Sequence, residues 1–232
     1  MRWMLLPVVG LSACVFVFKD TEVDGEDVSE ARDVSGFASV ELRGSVDVAV
    51  ALSGAEAVTV EGPEGAVSRV RTWVEEGVLI VDVEPGFSRG LGRVSVTVDA
   101  ADLHGLSLTG SGNLEADGLV GADVEVSCDG SGDLFATGVQ ADQAVISLAG
   151  SGRIALEGAA TEQVILLEGS GDVDAAELIG DVGHVFLSGS GAVDVAVSDA
   201  LDVQLEGSGS VSYAGDPELD VSGGGSGDVS AR

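Results

Sequence analysis

Carboxylates recur along the second half of this chain at a spacing that could assemble them. Asp133, Asp172 and Asp228, with Asn113 in the same position, each directly follow a Gly-Ser-Gly triplet, and Asp174 and Asp194 share a later position in two successive repeats. If like positions stack, the first set forms a column of oxygen donors of the kind that holds calcium. The second set then brings two carboxyl groups about 5 Å apart, the separation of a retaining glycosidase pair. Both readings meet opposition from other residues. Arg153 stands in the first column between Asp133 and Asp172, where its guanidinium is expected to pair with one or both aspartates. Sugar-active sites need aromatic platforms, and the chain has only nine aromatic residues, most of them outside the repeats. His104 and His184 occupy different repeat positions without Cys or His companions, so neither a zinc set nor a nucleophile triad can be assembled. Cys128 falls in a column otherwise filled by Leu, the place of a small buried core residue rather than a reactive thiol. No catalytic, cofactor-binding or metal-binding residue is assigned, and no cofactor is expected.

The elements that would stack these positions are legible in the triplets themselves. Seven copies begin at Gly110, Gly130, Gly150, Gly169, Gly189, Gly207 and Gly225, a period of 18 to 20 residues, which is the signature of a solenoid. Four residues before each triplet stand Leu106, Val126, Ile146, Ile165, Val185, Val203 and Val221; four after its start come Leu114, Leu134, Ile154, Val173, Val193, Val211 and Val229. Further apolar columns lie two residues away from each of these, so apolar residues alternate at period two on both sides of the triplet, as in half-buried strands. Each repeat reads as strand, glycine corner, strand and return loop. One such unit cannot bury its own apolar face, so successive coils must stack with like strands about 4.8 Å apart. A phosphate-cradling role for the glycines is disfavoured because phosphate loops lead into a helix, whereas another strand follows every triplet here. The expected fold is all-β: a single-stack parallel β-helix or solenoid with an atypical N-terminal β region.

In that region Val40, Leu42, Gly44, Ser45, Val48 and Val50 repeat the spacing with Val46 in place of the second glycine, a degenerate coil. Strands are expected at residues 58–60, 70–74, 79–83 and 94–98, with Glu75, Glu76 and Gly77 as a hairpin turn. The chain divides into a leader over 1–13, an acidic flexible linker over 14–31, and one domain over 32–232. Within the domain, 32–100 form a capping region and 101–232 the repeats.

Forty acidic residues against ten basic ones give a formal charge of −30. That charge excludes nucleic acid as a partner, because phosphates need a basic footprint, and disfavours adhesion to bare anionic lipid. Arg2 precedes an apolar run, and Leu11, Ser12, Ala13 and Cys14 resemble the lipobox of bacterial lipoproteins, in which the cysteine is lipidated. Export follows, with the lipid at Cys14 as the membrane anchor. The alternative is an uncleaved anchor over 3–18, which is short of the roughly 20 residues that span a bilayer. Val15 after Cys14 is not the Asp associated with inner-membrane retention, so the outer membrane is the expected site.

One surface feature points to binding. The outward columns five and three residues before the triplet hold mostly polar or small residues, but Val145, Val164, Leu166 and Phe186 are apolar in adjacent coils. Contiguous exposed apolar surface marks interfaces. This patch could seat an envelope or extracellular protein or glycan, a second copy of the chain in a homo-oligomer, or the N-terminal segment of the same domain.

Arg32, Val34, Ser35, Gly36 and Phe37, then Val40, Leu42, Gly44, Ser45, Asp47 and Val48, followed by serial Gly-Ser-Gly-Asp or Gly-Ser-Gly-Asn units, resemble the head GIN domain of putative autotransporter adhesins. The resemblance covers about residues 32–232. It implies a β-solenoid in a secreted or lipid-anchored bacterial protein, and it transfers no catalytic or binding residue. This chain departs from the pattern where Arg153, Ala192 and Ser210 follow the triplet, and in its acidity. The function expected is that of a non-enzymatic surface or adhesion module. A periplasmic structural or assembly lipoprotein is the alternative, and a polysaccharide-active enzyme a distant third.

Overall fold

The computed structural model describes residues 25–84 and 91–232. Cys14, the leader and the apolar run around it therefore lie outside the described residues. The capping region contributes β1 (Asp27–Arg32), β2 (Ser39–Gly44), β3 (Asp47–Leu52), β4 (Ala57–Pro63), a single helical turn α1 (Glu64–Val67), β5 (Val70–Glu75), β6 (Val78–Val83) and β7 (Ser95–Ala100). The repeats contribute β8 (Gly105–Gly110), β9 (Asn113–Gly130), β10 (Asp133–Gly150), β11 (Arg153–Gly169), β12 (Asp172–Gly189) and β13 (Ala192–Gly207), closed by β14 (Ser210–Ala214), β15 (Glu218–Ser222) and β16 (Asp228–Ala231). Long strands β9 to β13 stack in parallel, each coil on the next, so the all-β parallel solenoid expected from the triplet period is the fold the chain adopts.

Stacking converts the apolar columns into interior ladders. Val126, Ile146, Ile165 and Val185 on one wall, and Leu114, Leu134, Ile154 and Val173 on the other, are buried. Each such side chain contributes roughly 1.5–3 kcal/mol by leaving water. The return segment differs from the loop expected there. It continues as hydrogen-bonded strand, with Val139 paired to Leu119 and Gln140 to Val120, and it buries a third apolar column containing Leu119, Val139 and Leu178. A third wall closes the core, and an irregular loop would have left the backbone groups of every coil without partners. In the last coil the ladder ends: Val221, expected inside, is exposed.

The corner explains the triplets. Gly150 has a φ of +125°, and a Cβ placed there would lie 2.2 Å from the carbonyl oxygen of Gly130; one on Gly152 would lie 2.1 Å from that of Gly132. The close approach serves hydrogen bonding, since the amides of Ser131 and Gly132 both donate to the Gly110 carbonyl, at 2.9 and 3.2 Å. In the first coil the third position is Val46, fully buried. On their cap side β2 and β3 pair with β6 and β7, whose connection in sequence carries no Gly-Ser-Gly triplet.

The cap adds antiparallel pairs to the parallel stacking of β2 on β6 and β3 on β7. β1, β4 and β7 pair antiparallel, as do β5 and β6 across the turn at Glu76 and Gly77, both at positive φ. The linker expected over 14–31 consequently ends early. Residues from Asp27 onward form β1, because Val28 packs against the core and the strand covers the free edge of β4.

The register shifts between β10 and β11 and between β11 and β12, and most widely between β12 and β13. β13 is two residues shorter than β12, and Ala175 pairs with Val195 while Ile179 pairs with Ala196, so three residues of β12 bulge without β13 partners. Gln163, wholly buried, bridges the gap: its Nε2 donates to the carbonyls of Leu178 at 2.7 Å and Ala196 at 3.2 Å. The bulge leaves Ile179 59% exposed.

Candidate functional site

In-register stacking carries the sequence columns into surface columns on the wall before the triplet. Val145 pairs with Val164, and Leu166 with Phe186, so the four apolar residues singled out from sequence are placed together across β10, β11 and β12. Val145 and Val164 are half-buried, whereas Leu166 is 37% and Phe186 45% exposed. Side chains two apart on a strand share a face, so the register also fixes what surrounds Phe186. Leu166 lies on one side and Gln204 on the other, and the diagonal positions hold Val164, Glu168, Asp202 and Glu206. His184 and Ser188 complete the ring on β12 itself. His184 Nδ1 lies 3.1 Å from Asp202, with Nε2 3.7 Å from Glu162. A cavity of about 100 Å³ opens between Leu166 and Phe186, lined also by Glu168, Ser188, Gln204 and Glu206. Glu168, Gln204 and Glu206 were not singled out from sequence, although Gln204 occupies the same outward column as Leu166 and Phe186, and Glu168 and Glu206 the next one, directly before the triplet. Their acidity merges with the chain's general surplus until the register places them beside Phe186.

The second carboxylate set is placed as its spacing suggested but engaged otherwise. Asp174 and Asp194 are register partners on consecutive coils. Each binds an arginine: Arg153 Nη2 lies 2.7 Å from Asp174, and Arg232 Nη2 2.5 Å from Asp194. Arg153 thus corrects the expectation that it pairs with Asp133 or Asp172. Asp172 is its register partner, but the long side chain reaches past it to the carboxylate two residues on. Asp172 instead accepts a bond from the Ala192 amide, and Asn113 donates to Asp47 at 2.9 Å. Among the described residues no cluster of three or more His, Cys, Asp or Glu is arranged to hold a metal ion.

Cys128 lies in the core, its Sγ 3.5 Å from the Gly132 carbonyl, and burial, followed by the charges of Asp133 and Asp129, pushes its thiol up to about 11. A thiol held protonated is neither nucleophile nor ligand at neutral pH. Among the described residues no helix is long and apolar enough to cross a membrane.

Similarity to known proteins agrees with this architecture. Residues 36–217 match the family model described as "Putative auto-transporter adhesin, head GIN domain". A putative adhesin from Bacteroides fragilis has a similar crystal structure, with a TM-score of 0.82 at 18% identity, covering 91% of this chain and 99% of the other. A putative adhesin from Parabacteroides distasonis gives 0.72 at 20% identity over 91% of this chain and 99% of its own. A protein from the same species titled as a putative lipid binding protein gives 0.70 at 23%, over 90% and 98%. At these identities the structures speak for the fold alone. No protein of curated function matches the chain in sequence. The match over most of the chain, with the solenoid and its glycine corners, makes this protein a member of the head GIN domain family of putative auto-transporter adhesins.

Proposed function

We propose that this chain is a non-enzymatic binding module of the bacterial cell envelope, exported and held by a lipid at Cys14, with the Leu166 and Phe186 face as its contact surface. The observation that carries the reading is a rigid, in-register wall presenting contiguous exposed apolar side chains in adjacent coils, where a soluble protein otherwise keeps polar residues. Family membership supports an adhesin-like role at the surface. The arginine partners of Asp174 and Asp194 speak against a glycan-cleaving pair.

Proteinase K shaving of intact cells tests the placement, with an immunoblot for the repeat domain beside a periplasmic control. Selective digestion is the expected result. Protection that ends only when the outer membrane is broken would move the protein to the periplasm and make it an assembly or structural lipoprotein.

A further inference from the structure

The contact surface proposed above carries an imbalance of charge that bears on what it binds. Residues 101–232 contain twenty-three acidic side chains and only two basic ones, Arg153 and Arg232. Both arginines are committed to Asp174 and Asp194 on the wall after the triplet. On the wall before it, the outward columns from β9 onward hold Glu125, Asp129, Glu168, Asp202, Glu206 and Asp220, and no Lys or Arg. Among the described residues His184, beside Asp202, is the one basic group close to the patch. Glu168 and Glu206 flank Ser188 in a single column, two strand spacings or about 10 Å apart, and both line the cavity between Leu166 and Phe186.

Any group that covers Leu166 and Phe186 must therefore also strip water from Glu168 and Glu206. A purely apolar or anionic partner would leave two desolvated carboxylates without counter-charge, which is costly. A side chain with an apolar stem and a cationic head meets both demands, since its stem lies on the leucine and the ring while its head stays with the carboxylates. The face of Phe186 also attracts a cation. We infer that this surface, if it is the contact site proposed above, binds an extended basic segment of a protein partner, seating an Arg or Lys side chain across Phe186 with its head within reach of Glu168 and Glu206.

The test uses the full chain and three short fluorescent peptides of alternating Leu-Arg, Leu-Ser and Leu-Glu, read by anisotropy. The Leu-Arg peptide is expected to bind at least tenfold more tightly than Leu-Ser, with Leu-Glu weakest. The variant E168Q/E206Q should cost the Leu-Arg peptide about tenfold and leave Leu-Ser unchanged. D133N/D228N, which removes equal charge from the opposite wall, should change neither by more than about twofold. An equal loss in D133N/D228N would reduce the attraction to diffuse charge and overturn the inference. Equal affinity for Leu-Ser and Leu-Arg would also overturn it, while leaving the apolar contact site standing. Binding that survives L166S/F186S undiminished would remove the contact site as well. A free chain that sediments as a dimer, and becomes monomeric in L166S/F186S, would assign the face to a second copy instead.

Discussion

The cap and the repeats solve the same problem, closing a sheet over an apolar core, with different means. Over residues 101–232 the solution is repetition: parallel coils, one corner, and almost every charge negative. The cap mixes parallel and antiparallel pairs with a helical turn, and its described arginines each pair with an acid, Arg32 with Glu30. Arg43 is bound to Glu41, Arg71 to Asp82, Arg93 to Asp27 and Arg69 to Glu84. The difference teaches where each region is constrained. In the repeats the backbone corner is the rigid requirement and surface charge is free to accumulate. In the cap the corner is relaxed, as Val46 shows, and arginines offset part of an acidic surplus that is smaller than in the repeats.

The corner gives the largest expected contrast. G152A should destabilise the chain by about 3 kcal/mol or more, because its new methyl would strike the Gly132 carbonyl with no side chain able to yield. V46G, the reverse change in the cap, should cost only the lost burial of one valine plus backbone entropy, about 2–3 kcal/mol. Urea denaturation of both variants reads the contrast, and a G152A no more damaging than a surface substitution would break the corner argument. Next comes the register break inside the repeats. Q163L should cost about 2–3 kcal/mol by orphaning the carbonyls of Leu178 and Ala196, and hydrogen exchange should quicken first in β12 and β13. Uniform exchange along all coils would show that Gln163 does not secure the bulge.

Titration separates the regions again. The Cys128 thiol is raised from 9.0 to about 11 in the folded chain, so the unfolded chain loses its proton first as pH rises. The stability this contributes is complete below pH 9 and lost on the way to pH 11, by roughly 2–3 kcal/mol. C128A, less stable at neutral pH for its cavity, should show a flatter profile over that window. In the cap, Arg43 is raised above its ordinary value by its hydrogen bond to Glu41, so its guanidinium keeps its charge throughout the same range. Equal slopes for the parent chain and C128A would contradict the burial of the thiol. The smallest effect is expected at the surface, where R153Q should cost less than about 1 kcal/mol because its bond to Asp174 is half-exposed. A larger loss in a thermal melt would mean that the pair joins the coils and does more than neutralise a carboxylate.

Much of the repeat region was legible because period and alternation there are strictly local. The triplets at Gly130 and Gly150 with Ile146 and Ile154 around them define corner, strand and inward face without reference to the rest of the chain. The cap strands at residues 58–60 and 70–74 were also legible, but their antiparallel partners were read only for the hairpin at Gly77, since long-range pairing leaves no trace in spacing. The return wall was missed because its inward residues, Leu119, Val139 and Leu178, are one per coil and drift by a position where repeat length changes. Within the candidate site the apolar members stood out against a polar column. Glu168 and Glu206 became visible only through the register that sets them beside Phe186, and Arg153 was assigned to its near neighbour because column logic ignores the reach of a long side chain.

The account rests on Leu166 and Phe186 being a free contact face rather than part of the chain's own packing. Thermal and urea unfolding of the full chain carrying L166S/F186S tests that most directly. A stability within about 1 kcal/mol of the parent is predicted, as for exposed positions on a sheet. A loss of 3 kcal/mol or more in a monomeric protein would place the two side chains under another segment of the same chain and contradict it.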